Sequence, residues 1–242
     1  MRHSGNITIQ GKHGKPILVD ATHQETGRPK PIVVFSHGFK GFKDWGHFNL
    51  VAQEFARAGF VFVKFNFSHN GTTPEQPTDF ADLEAFGHNN FSIELDDLGT
   101  VIDWALSDRT LSTEIDPQRL YLLGHSRGGG ITILKAGEDA RVKRVITWAS
   151  VAEFGRFGDP DVLAKWKADG VMHIYNSRTK QQMPMYYTTY ENFYANEAQL
   201  NIPAAMARIK VPVMVVHGTD DAVVNFSAAE KLASLNPNAT LL

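Results

Sequence analysis

Ser126 stands in the run Gly124-His125-Ser126-Arg127-Gly128-Gly129, directly after the apolar stretch 120–123 and directly before a segment of helical periodicity. Small residues on either side of a serine let a tight strand-to-helix turn form, and the strained turn lifts the hydroxyl clear of the sheet. A hydroxyl held that way is a nucleophile for acyl transfer. The start of the helix behind it favours developing negative charge, which makes the backbone N–H of Arg127 the first oxyanion donor. A second donor is expected from Ser36-His37-Gly38-Phe39-Lys40-Gly41, where the N–H of Phe39 is the best placed. Such chemistry also needs a carboxylate to orient a histidine and stabilise its imidazolium. His217-Gly218-Thr219-Asp220-Asp221 offers two, Asp220 and Asp221, and Glu153 is a more distant third.

Taken together, these pieces resemble the α/β-hydrolase superfamily, and within it the dienelactone-hydrolase-like and cinnamoyl (feruloyl) esterase-like branch. His37-Gly38-Phe39 is similar to that branch's His-Gly-Phe oxyanion motif, and Gly124 to Gly129 to its Gly-His-Ser-x-Gly-Gly elbow. Its acid motif, His-Gly-x-x-Asp, places the carboxylate four residues after His217 and so implies Asp221. The resemblance also implies a catalytic histidine after the acid, yet none lies between Ala222 and Leu242. All ten histidines precede Asp221, and of these only His173 is placed in a segment that could reach the site. The expectation is therefore a histidine beyond Leu242, with the C-terminal strand and helix of the fold missing from the chain. One further departure is Asn66-Phe67-Ser68-His69-Asn70-Gly71, where many relatives carry Asp-x-Arg-Gly.

These residues must be carried by elements. Short apolar runs alternate with helix-period segments, which predicts an α/β fold with a mostly parallel sheet and helices on both faces. Residues 7–10 and 16–19 read as an antiparallel hairpin. Residues 31–35, 60–65, 119–123, 142–148 and 211–216 read as buried strands, and 239–242 as the opening of a last one. Helices are predicted over 45–58, 90–106, 128–136 and 226–235. The core is thus assigned to 1–148 and 208–242. The intervening 149–207 is too long for an ordinary α/β connection and reads as a helical cap or lid. Its aromatic and Met residues, with Trp166, Met183, Tyr186 and Tyr187 as candidates beside His125, suggest contacts to an apolar acyl or alcohol group.

Composition sets the outer bounds. The 242 residues suit one domain, with 43% hydrophobic and 21% charged residues and a net charge of −2. That balance points away from nucleic acid and anionic membranes. Cysteine is absent, which removes disulfides, thiolate metal sites and cysteine nucleophiles. Residues 1–20 hold no apolar core of signal-peptide length and no run is long enough to span a bilayer, so a cytoplasmic protein is expected. The expected activity is hydrolysis of a small-molecule carboxylic ester by a monomer or homodimer, without metal or organic cofactor. A thioesterase, lactonase or aminopeptidase on the same machinery is an alternative. A catalytically inactive ligand-binding protein is another, should the histidine be lacking altogether.

Overall fold

The computed structural model describes residues 1–155 and 157–242. Its first two strands, β1 (Arg2–Gln10) and β2 (Pro16–His23), form the antiparallel hairpin expected, with Ile7 opposite Val19. Next come β3 (Lys30–Ser36), β4 (Val61–Asn66), β5 (Ile115–His125), β6 (Val142–Trp148), β9 (Val213–Val216) and β10 (Ala239–Leu241). They join one eight-stranded sheet in the order β1-β2-β4-β3-β5-β6-β9-β10, parallel from β4 onward.

Alternation along β3 divides the core in two, because successive side chains of a strand point to opposite faces. Val33 and Phe35 face α1 (Phe48–Arg57), where Phe48 and Ala52 pack with Phe62 and Leu123. Ile32 and Val34 face the larger cluster. There α3 (Phe91–Ser107) contributes Leu95, Leu98 and Ile102, and α4 (Arg127–Glu138) contributes Ile131 and Leu134. Leu232 enters it from α8 (Ser227–Ser234). Asn90 caps α3 by accepting from the N–H of Ile93, so the helix begins where its apolar stripe begins.

The segment between β6 and β9 adds a two-stranded hairpin to the helices expected there. It runs through α5 (Pro160–Asp169), β7 (Val171–Asn176), β8 (Gln181–Tyr186), α6 (Thr188–Ala195) and α7 (Ile202–Arg208). Asp159 caps α5 ahead of Pro160, and Gly170 closes it in the left-handed conformation. The hairpin forms a two-stranded sheet of its own, Val171 opposite Tyr186, and packs on α2 (Leu83–His88). Met183, fully buried, joins Phe42, Phe80 and Phe86 in a third cluster separate from both faces of the main sheet. By contrast, α7 packs on the main core through Ile202 and Ala205.

Candidate active site

Parallel strands running the same way deliver their following loops to one edge of the sheet. The loop after β3, the turn after β5 and the loop after β9 therefore meet there. Ser126 is the turn between β5 and α4, with φ 54° and ψ −121°. For a non-glycine residue that backbone costs about 1–3 kcal/mol and persists only where the surroundings over-determine it. They do so here. The Ser126 N–H donates to the Trp148 carbonyl of β6 at 2.9 Å, and its own carbonyl accepts from Gly129 at 3.0 Å and Val151 at 3.3 Å.

The glycines explain how closely β3 approaches. A Cβ on Gly128 would lie 2.3 Å from the His37 carbonyl oxygen and 2.5 Å from that of Ser36. A Cβ on Gly38 would lie 3.1 Å from the Ser126 Cβ. The loop bearing Phe39 is thus pressed against Ser126.

That loop is held from beneath by polar groups. Burial pulls the His37 imidazole down to about 4, so it is neutral at pH 7. Its Nδ1 lies 2.8 Å from the Gly38 carbonyl, and its Nε2 faces the Phe67 N–H and the Asn70 amide, each at 3.4 Å. These partners place the proton on Nδ1. The Lys43 N–H donates to Asn66 Oδ1 at 2.6 Å. The Lys43 ammonium meets Asp20 at 2.9 Å and Asp44 at 2.5 Å, and Lys64 bonds the same two carboxylates, with Asp20 at 2.7 Å. Burial alone would raise the Asp20 carboxyl; Lys64, the Asn6 N–H and Lys43 outweigh it and hold the group below its usual range.

The Arg127 side chain turns back over the same loop. Its guanidinium carbon lies 5.0 Å from the Phe39 ring centre and 4.3 Å from that of Phe91, and Nε donates to Glu94 at 2.9 Å. Its Nη2 is buried and has no hydrogen-bond partner among the described residues.

On the far side, Asp221 accepts from the N–H groups of Val224 (2.9 Å) and Val223 (2.8 Å) through Oδ1, and those bonds depress its pKa. His217 Nε2 lies 3.7 Å from Oδ2 and 2.7 Å from the Val224 carbonyl, so this histidine is committed to the loop bearing Asp221. Asp220 is exposed, and Glu153 pairs with Lys231 at 2.8 Å. His173 is exposed on β7. His125 packs edge-on against Phe48 and lines a recess of about 380 Å³ with Phe39, Lys40, Trp45, Asn176 and Arg178.

Of the four candidates in 149–207, Trp166 and Met183 are buried and Tyr186 and Tyr187 are half-buried. Trp166 is buried against Phe157 and Tyr187, its indole N–H bonded to the Met185 carbonyl at 2.8 Å. Met183 lies in the third cluster, and Tyr187 stacks on Tyr190. Tyr186 bonds Glu84 at 2.5 Å and lies against His88.

The sequence reading missed Lys43, Lys64, Asp20 and Glu94 as parts of the site's support. Lys64 carried a signal, being a charge inside an otherwise apolar strand, and such a residue requires a buried partner. Among the described residues no group of three or more His, Asp or Glu side chains could hold a metal ion, and no helix is long and apolar enough to cross a membrane.

The order and direction of the strands, with helices on both faces, are those of the α/β-hydrolase fold. Solved structures agree on the fold. Est1E from Butyrivibrio proteoclasticus, in a structure with ferulic acid bound, superposes with a TM-score of 0.74 at 16% identity, covering 98% of this chain and 88% of that one. The chain belongs to the prolyl oligopeptidase family, whose sequence model matches residues 46–235. Among curated relatives, PA2218 of Pseudomonas aeruginosa is 24% identical over 207 residues, 80% of this chain and 51% of that protein. An uncharacterized 31.7 kDa protein from the traX-finO intergenic region of Escherichia coli is 29% identical over 133 residues, 55% of this chain and 40% of that protein. The chain thus spans about half or less of the length of these two relatives.

Proposed function

We propose that this chain is a serine hydrolase acting on a carboxylic ester, with Ser126 as nucleophile. The observation that carries the reading is Ser126 itself: a non-glycine residue at φ 54°, at the mouth of α4, with Gly38 packed on its Cβ. In this mechanism Ser126 Oγ attacks the ester carbonyl while a histidine takes its proton. The N–H groups of Phe39 and Arg127 hold the oxyanion, the alkoxide leaves with that proton, and water then hydrolyses the acyl-enzyme. Asp221 orients the histidine through Oδ2, its Oδ1 being occupied by its own loop. On this reading 149–207 caps the site, the recess beside His125 receives part of the ester, and a monomer or homodimer works in the cytoplasm without a cofactor.

The family match favours a second substrate for the same site, a peptide or amide bond. Both readings predict a single fluorophosphonate adduct in the intact mass, absent from Ser126→Ala. Comparing p-nitrophenyl esters with aminoacyl anilides then separates them. A wild-type protein that takes no adduct, or an adduct that persists in Ser126→Ala, overturns the hydrolase reading in favour of a binding protein.

A further inference from the structure

A buried chain of contacts runs from the inserted segment to the nucleophile turn. Thr189 of α6 donates through Oγ1 to the Asn89 carbonyl at 2.9 Å. The Asn89 amide donates to one oxygen of Glu94 at 2.7 Å, and the other oxygen accepts from Arg127 Nε at 2.9 Å. Thr189 is 1%, Asn89 6% and Glu94 3% exposed, so water competes for none of these bonds. An apolar route runs alongside. Phe91, one helical turn before Glu94, stacks on Phe154 with ring centres 4.0 Å apart and meets Phe193 of α6 edge-on at 5.9 Å. Both routes end on the Arg127 guanidinium, which lies against Phe39.

A cation at this position needs an account. Arg127 is the first residue of α4, where the positive end of the helix disfavours a positive side chain. Glu94 offsets that charge: one carboxylate oxygen accepts from Arg127 Nε while the Asn89 amide holds the other, which keeps the guanidinium between α3 and the loop after β3. We infer that the Arg127 side chain is a positioning group that holds Phe39, so that the N–H groups of Phe39 and Arg127 face one oxyanion, and that this alignment depends on the seating of the inserted segment through Thr189, Asn89 and Glu94. The inference rests on the hydrolase reading for its catalytic consequence, and on geometry alone for the holding of the loop.

Two measurements test it on the whole chain: kcat and KM for p-nitrophenyl butyrate, and hydrogen–deuterium exchange of the peptide covering residues 37–42. In Arg127→Met, kcat falls about 10- to 100-fold, KM stays within about 3-fold, and exchange of the loop quickens about 10-fold or more. Arg127→Lys, which keeps the charge without the planar fork, recovers part of both effects. Thr189→Val moves both the same way by a few-fold and, with Arg127→Lys, decides the matter if Arg127→Met does not fold. Loop exchange unchanged in these variants, or an active enzyme in which only KM responds, overturns the inference. If the wild type neither turns over ester nor takes the probe, the hydrolase reading fails, and loop exchange alone still decides whether Arg127 holds Phe39.

Discussion

Asp97 changes its ionisation within the pH range of ordinary assays. It is fully buried on α3, its Oδ2 accepts the Ser68 N–H at 2.7 Å, and its Oδ1 has no partner among the described residues. Burial pushes its carboxyl up to about 7 against the pull of the Ser68 bonds, with Glu94 adding to the rise and His13 opposing it. A carboxyl raised on folding binds its proton more tightly in the native state than in the unfolded chain. Its cost is therefore absent below the ordinary value near 3.8, grows as pH rises toward 7, and is complete above that. Asp97→Asn should match the wild type in urea midpoint near pH 4 and exceed it near pH 8. Parallel midpoint-versus-pH curves for the two proteins would show that Asp97 is already ionised. Asp221 sits at the opposite extreme, held ionised by its own loop. In an active enzyme, Asp221→Asn should lower kcat by about 10²- to 10⁴-fold, and Asp220→Asn by no more than about 2-fold. Equal losses from the two would remove Asp221 from its role.

At the level of elements, the closest contact is that of α4 with the end of β3. A Cβ at position 128 would meet the backbone oxygens of Ser36 and His37, which cannot swing aside as a side chain could. Gly128→Ala should therefore lose soluble expression, or drop by more than about 3 kcal/mol in stability, with urea unfolding as the check. The ion group under the Phe39 loop makes a comparable demand. Lys43→Met leaves Asp20 and Asp44 facing a single lysine and should cost about 3–5 kcal/mol, a loss read in the same experiment. Much of this architecture is legible in the residue string, because strand and elbow are written locally: apolar residues 120–123, then Gly-His-Ser-Arg-Gly-Gly, then a helical stripe. The β7–β8 hairpin is not. Pro184 and the polar tip Ser177-Arg178-Thr179-Lys180 interrupt any periodicity, and the register rests on Met183 finding Phe42, Phe80 and Phe86 far away in sequence. Pairings such as Glu94 with Arg127 or Asp20 with Lys64 are equally silent, since nothing local in either residue names its partner.

Across the whole molecule, stability is divided among three apolar clusters of unequal size. The one under the hairpin is small and separate, so damage there should open that region without unfolding the sheet. Met183→Ala should quicken hydrogen exchange in residues 171–186 and 80–86 while leaving β3 and β5 protected. Uniform quickening across all strands would show instead that the hairpin and the sheet unfold as one unit.

The strand order has a consequence for synthesis. β6 pairs on one side with β5, made shortly before it, but its other neighbour is β9, some sixty residues later in the chain. At about 5–20 residues per second, the open edge of β6 waits roughly 3–13 s for that partner while the inserted segment is still emerging from the ribosome. During that interval the nascent chain presents an unpaired row of backbone donors and acceptors, the surface on which strands of neighbouring chains add. The length of the insertion thus sets a window of aggregation risk, which slower translation would widen and an early-binding chaperone would cover.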